Sequence, residues 1–112
     1  MNLNLLKKIA SKSTHHRYNH ASLIFAGSRL LVVGYNNKDH HAEIVALRRL
    51  EALFRNNNSR RPRNLHLVNL MIKKKSGNLG DSLPCKDCWI AIHIAKIAKV
   101  TFVNKQGRIL QV

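Results

Sequence analysis

Two motifs far apart in the chain have to meet in any fold it adopts: His41-Ala42-Glu43 and Pro84-Cys85-Lys86-Asp87-Cys88. Together they supply one imidazole and two thiolates, a donor set that suits zinc, and a carboxylate, Glu43, that need not be a ligand. Three ligands leave one coordination position for water, whose pKa zinc lowers to about 7, whereas a structural site is closed by a fourth residue. The pattern points to hydrolysis rather than scaffolding. Residues two apart do not face each other in mid-helix, so His41 and Glu43 belong in the first turn of a helix over 40–55 that is aimed end-on at the metal. Cys85 and Cys88, three apart, share one face of a helix that opens after Pro84 and whose positive end favours thiolate.

Other uses of these residues fit less well. A thioredoxin-like dithiol wants a downstream proline, and Pro62 and Pro84 both precede the pair. A zinc finger needs a fourth ligand at suitable spacing, and after Cys88 only His93 remains. His15, His16, His20, His40 and His66 offer chances for an accidental ligand, with His40 expected to face away from its neighbour His41.

These residues resemble the zinc-dependent cytidine deaminase superfamily, whose signature is HxE followed later by PCxxC. His20 to Asn36, reading HASLIFAGSRLLVVGYN, is similar to the family's first hairpin, and Asn64 to Leu110 to its later strand, cysteine helix and strand. The likeness covers residues 18 to 112. It implies an α/β, three-layer α-β-α fold with a five-stranded mixed sheet, and a zinc ion on His41, Cys85 and Cys88. It also implies that Glu43 shuttles protons while an activated water attacks the amine-bearing ring carbon. Asn36 matches the residue that contacts the sugar, unless it is simply a turn residue. A backbone group near Leu83 or Pro84 is expected to hold the amino group.

Local patterns agree with one domain over 1–112. Leu3 to Lys12 has helical periodicity, followed by a polar loop over 13–19. Leu23 to Phe25 and Leu30 to Val33 flank a tight turn at Gly27. Leu65 to Ile72, apolar on both faces except at His66 and Asn69, reads as a central strand, and Lys73 to Asp81 as a loop. Cys85 to Ala98 is so apolar that a helix buried along most of its girth is expected. Asn104 to Arg108 is too short for a crossover, so Val100–Val103 and Ile109–Val112 should form an antiparallel hairpin. No apolar run approaches the roughly 20 residues that cross a bilayer, and no signal core opens the chain, so a cytoplasmic protein without membrane contact is expected. Two cysteines committed to a metal fit a reducing compartment.

Charge adds a partner. Twenty Lys and Arg against five acids give a formal +15, which favours a polyanion. Arg55, Arg60, Arg61 and Arg63, together with Lys73, Lys74 and Lys75, are the candidate nucleic-acid contacts. Trp89, next to Cys88, is a candidate for stacking on a neighbouring base, or else a packing residue. Four residues between Asn36 and His41 make one pocket wall low, open enough for a nucleotide within a strand. The expected function is cytidine-to-uridine deamination in a polynucleotide, preferably a structured RNA such as tRNA. The alternatives are salvage of free cytidine or deoxycytidine nucleotides, adenosine-to-inosine deamination on RNA, and a non-enzymatic basic subunit of a ribonucleoprotein. A homo-oligomer is expected because the apolar cysteine helix leaves much to cover.

Overall fold

Apolar residues on either side of a Gly27 turn pair as a hairpin in the computed structural model, which describes residues 3–11, 18–56, 60–73 and 76–111. The side chains of residues 3, 6, 10, 18 and 56 are also outside the description. Lys12, His15, His16, Lys74 and Lys75 lie outside the described residues. Strands β1 (Tyr18–Ala26) and β2 (Arg29–Tyr35) are antiparallel, with Leu23 opposite Val33 and a register shift between Ile24 and Phe25. Gly27 takes φ +60, the left-handed geometry such a turn requires. β3 (Leu65–Lys73) pairs antiparallel with β1 and parallel with β5 (Lys99–Val103), and β5 pairs antiparallel with β6 (Ile109–Gln111). The sheet order is β2-β1-β3-β5-β6. β3 is thus the central strand, and the expected C-terminal hairpin is present.

The sheet has a sixth strand where the sequence reads as a loop. β4 (Leu79–Gly80) runs back beside Met71 and Ile72. The Lys73 amide donates to the Asn78 carbonyl at 2.8 Å, and Gly77 at φ +72 closes the reversal. Two residues are too few to show alternation, so only the pairing reveals the strand.

Strand alternation sends side chains to two cores. Ala21, Leu23, Val68, Leu70 and Val103 are buried on one face, with Ile9 of α1 (Leu3–Ala10) packed against them. Ile24, Leu65, Leu67 and Val100 face the other way, onto Ala46 and Leu50 of α2 (Ala42–Asn56) and Ile92 of α3 (Lys86–Ile94). The layers are therefore α1, sheet, then α2 with α3. Arg49 holds edge strand β2 to α2 by donating to the Val33 carbonyl at 2.6 Å, its guanidinium 5.3 Å from the Tyr35 ring centre.

α3 departs from expectation twice. It ends at Ile94 rather than Ala98, because Lys96 turns left-handed at φ 59 and the Lys96 and Ile97 amides donate to the His93 and Ile92 carbonyls. Nor is it buried around most of its girth. Cys88 and Ile92 face inward, while Ile90 and Ile94 are 50% and 74% exposed, since only the sheet and α2 flank the helix. No helix among the described residues is long and apolar enough to cross a membrane.

Candidate metal centre and active-site cleft

The first turns of α2 and α3 converge. His41 immediately precedes α2, and its carbonyl accepts the Val45 amide at 3.1 Å. The helix starts at Ala42 rather than residue 40 because the Asn37 side-chain oxygen accepts both the Asp39 and His40 amides at 2.9 Å, holding that segment in a turn. Glu43, second in the helix, lies where the N-terminal end of the dipole favours a carboxylate. Cys85 caps α3 and its carbonyl accepts the Trp89 amide at 2.9 Å, which places Cys88 one turn in.

The cluster fits zinc. His41 Nδ1 lies 3.3 Å from Cys88 Sγ and 3.6 Å from Cys85 Sγ. A tetrahedral ion about 2.0 Å from nitrogen and 2.3 Å from sulfur would hold those atoms about 3.5 Å apart. All three ligand atoms lie within 4.8 Å of one another, and among the described residues no fourth His, Cys, Asp or Glu joins them. The ring of His40 is turned to Arg48, whose Nη1 donates to its Nε2 at 2.9 Å. Burial pushes the Cys88 thiol up, with Glu43 adding to the shift. The helix end alone does not release this thiolate. A cation must displace the proton, so metal uptake releases one.

A cleft of about 210 Å³ opens on the cluster, lined by His20, Asn36, His41, Glu43, Leu83 and Cys85 among others. Glu43 is 1% exposed, and among the described residues its Oε1 has no hydrogen-bond partner. The Asn36 side-chain oxygen accepts the His20 amide at 2.9 Å, which fixes that side chain at the rim. Leu83 is exposed at the cleft, and Pro84 is buried behind it. Trp89 packs against the α2–α3 core and is not among the lining residues.

Behind the cysteines is a polar network that motif reading does not single out. Ser22 donates to Asn69 Oδ1 at 2.5 Å, and Asn69 Nδ2 donates to the Ser82 carbonyl at 3.1 Å. Ser82 Oγ lies 3.0 Å from the Asn69 carbonyl and 2.8 Å from that of Val103, and accepts the Val103 amide at 2.9 Å. All three side chains are buried. Asn69, a polar exception in an apolar strand, is the one signal for it in the sequence. The network pins the segment that presents Cys85. Asn69→Leu is expected to destabilise the fold by about 2–3 kcal/mol, since it orphans buried partners. It should also speed zinc loss to a competing chelator, and an unchanged loss rate with a lowered melting temperature would confine Asn69 to the core.

The basic clusters lie at opposite ends of the sheet. Arg55, Arg60, Arg61 and Arg63 sit where α2 ends and β3 begins, about 22 Å along the 15-residue α2 from the metal cluster. Arg61 donates to the Ala95 carbonyl and so caps α3, and Arg55 forms an exposed pair with Glu51 at 3.8 Å. Lys73 is at the cleft's end of β3, two residues past Met71, which lines the cleft. There Lys7, Lys73 and Lys105 border a groove of about 490 Å³.

No protein-family profile matches the chain, and no curated protein matches it in sequence. In structure, the chain is similar to a cytidine deaminase from Burkholderia pseudomallei, with a TM-score of 0.62 and 19% identity, covering 100% of this chain and 92% of that one. The chain therefore has the fold of a cytidine deaminase, with a His41–Cys85–Cys88 cluster where its two central helices begin.

Proposed function

We propose that this protein is a zinc-dependent deaminase that converts cytidine to uridine within a polynucleotide, with RNA of tRNA-like structure preferred. The observation that carries the reading is the three-ligand cluster with Glu43 buried beside it. Bound there on His41, Cys85 and Cys88, zinc would lower the pKa of a water to about 7 and so supply a nucleophile near neutral pH. Glu43 takes one proton from the attacking water and passes it to the ring nitrogen as the water oxygen bonds to the amine-bearing carbon, then relays the water's second proton to the amine, which leaves as ammonia when the C–N bond breaks. Asn36 contacts the sugar, and the Leu83–Pro84 backbone orients the exocyclic amine. Trp89 is left as a packing residue.

A polynucleotide substrate is favoured by size and charge. The cleft falls below the roughly 300–1,000 Å³ that encloses a drug-sized ligand, so it accommodates a base and leaves sugar and phosphate outside. The Lys7–Lys73–Lys105 groove at the same end of the sheet suits flanking phosphates. The distal arginines would serve only a longer or folded RNA. The same reading places the protein in the cytoplasm, and pairs it with a second copy through the exposed Ile90–Ile94 face, a pairing that sedimentation would detect.

The experiment is deamination of free cytidine, CMP and dCMP beside cellular RNA and single-stranded DNA, read by sequencing, with and without a zinc chelator. Cytosine-to-uracil changes at particular RNA positions, lost on chelation and restored by zinc, are expected. Three phosphate contacts on a single strand predict that log K falls with log salt at a slope near −2, at about −0.7 per contact. Turnover of monomers alone would move the protein to nucleotide salvage, adenine-to-inosine changes would exchange the base, and salt-sensitive binding without turnover would favour a ribonucleoprotein subunit.

A further inference from the structure

His20 stands in the cleft without an assigned role. Of the other titratable residues lining it, His41 and Cys85 belong to the metal cluster, Glu43 to proton transfer, and His40 to Arg48. Alternation along β1 puts His20 on the face of Ser22 and Ile24, toward α2, and its side chain is 9% exposed. Burying an imidazole there is unfavourable unless its nitrogens are used. Its Nδ1 lies 3.6 Å from Glu43 Oε1. His20 Nε2 and Glu43 Oε1 are two of the three buried side-chain polar atoms without a hydrogen-bond partner among the described residues.

The two tautomers are not equivalent in this setting. Burial lowers the pKa of His20, with Glu43 pulling it up and His41 adding to the lowering, which favours the neutral ring with its single N–H. With the proton on Nε2, a buried donor would lack an acceptor, and the Nδ1 lone pair would face a carboxylate oxygen. With the proton on Nδ1, closing the gap from 3.6 Å to about 2.9 Å makes a hydrogen bond to Oε1. The backbone of the same residue is fixed to the other side of the cleft. Its amide donates to Asn36 Oδ1 at 2.9 Å, and its carbonyl accepts the Asn36 amide at 3.1 Å.

We propose that His20 is a positioning residue that donates Nδ1–H to Glu43 Oε1, holding the carboxylate so that its other oxygen faces the reacting water and base. The hydrogen bond itself does not depend on the substrate. Its kinetic consequence rests on the deaminase reading.

Two measurements test this. In zinc-loaded protein with ¹⁵N-labelled histidine, long-range proton–nitrogen spectra at pH 7.5 should show His20 as the Nδ1–H tautomer. The Nε2–H tautomer would overturn the proposal whether or not the protein deaminates anything. In turnover, His20→Leu should lower kcat about 10–100-fold, the usual cost of losing a supporting partner, with KM changed much less. His20→Asn, whose amide nitrogen reaches the place of Nδ1, should recover most of that loss. Equal losses in both variants, or a loss confined to KM or melting temperature, would reduce His20 to a packing residue. Wild-type inactivity on every substrate would overturn the deaminase reading, while the tautomer would still decide the hydrogen bond.

Discussion

Replacing Glu43 by alanine is expected to abolish turnover, lowering kcat about 10⁴-fold or more, because one carboxylate acts both as base toward the water and as acid toward the leaving group. Zinc should stay bound at one ion per chain, since Glu43 is not in the ligand cluster. Stability separates this from a structural role. Glu43 is 1% exposed and the group near its Oε1 is the buried His20 ring at 3.6 Å, so as a carboxylate with at most one neutral donor it is held in the fold at a cost. The isosteric Glu43→Gln variant should therefore be just as inactive yet melt at the same temperature or higher, as with other active-site groups kept for function. Metal content, melting temperature and turnover on the best substrate check all three statements. Activity retained in either variant would remove Glu43 from proton transfer.

The parts of this site that were legible in the sequence are those whose chemistry dictates both residue type and spacing. His41, Cys85 and Cys88 converge as zinc requires, and Glu43 stands beside them because a first helical turn lets residues two apart straddle one point. The strands with apolar faces were legible for the same kind of reason, and so was the closing hairpin, whose Asn104–Arg108 connection leaves no room for a crossover. What was hidden follows from one physical fact: a sheet that ends in a cleft trades its apolar pattern for a polar one there. Tyr18 and Asn19 read as loop, yet they open β1, whose first half carries His20 and Ser22 to the site. α3 ends early at a left-handed lysine, where sequence signals look for glycine. Hydrophobicity marked Ile90 and Ile94 as apolar without saying what would cover them. The arginines close in sequence to β3 lie at its far end, because proximity along a strand runs in both directions while the site occupies only one.

The second large effect is expected at a residue that is not itself a candidate ligand, Gly34. This glycine needs no left-handed backbone. It is required because β2 passes directly against the start of α2, where Ala42 and Ala46 are fully buried. A Cβ at position 34 would overlap the Ala46 backbone nitrogen, and would lie 2.6 Å from the Ala42 carbonyl oxygen and 2.9 Å from Ala46 Cα. All of these are backbone atoms, so no rotamer change relieves the overlap, and strand and helix must separate. Overpacking of this kind costs about 3 kcal/mol or more, which for a chain of this size is about 12–20 °C in melting temperature. Gly34→Ala should show that loss, and a weakened hold on zinc with it, because the helix end being displaced carries His41 and Glu43. Gly27→Ala is the control. Its φ of +60 strains an alanine, but a Cβ there meets nothing within 4 Å. The expected cost is about 1–2 kcal/mol with zinc affinity unchanged. If both variants lost the same stability and neither lost zinc, the contact at Gly34 would be only a packing constraint. A selective loss of zinc at Gly34 would show that the strand–helix approach sets the position of the metal ligand and the proton carrier.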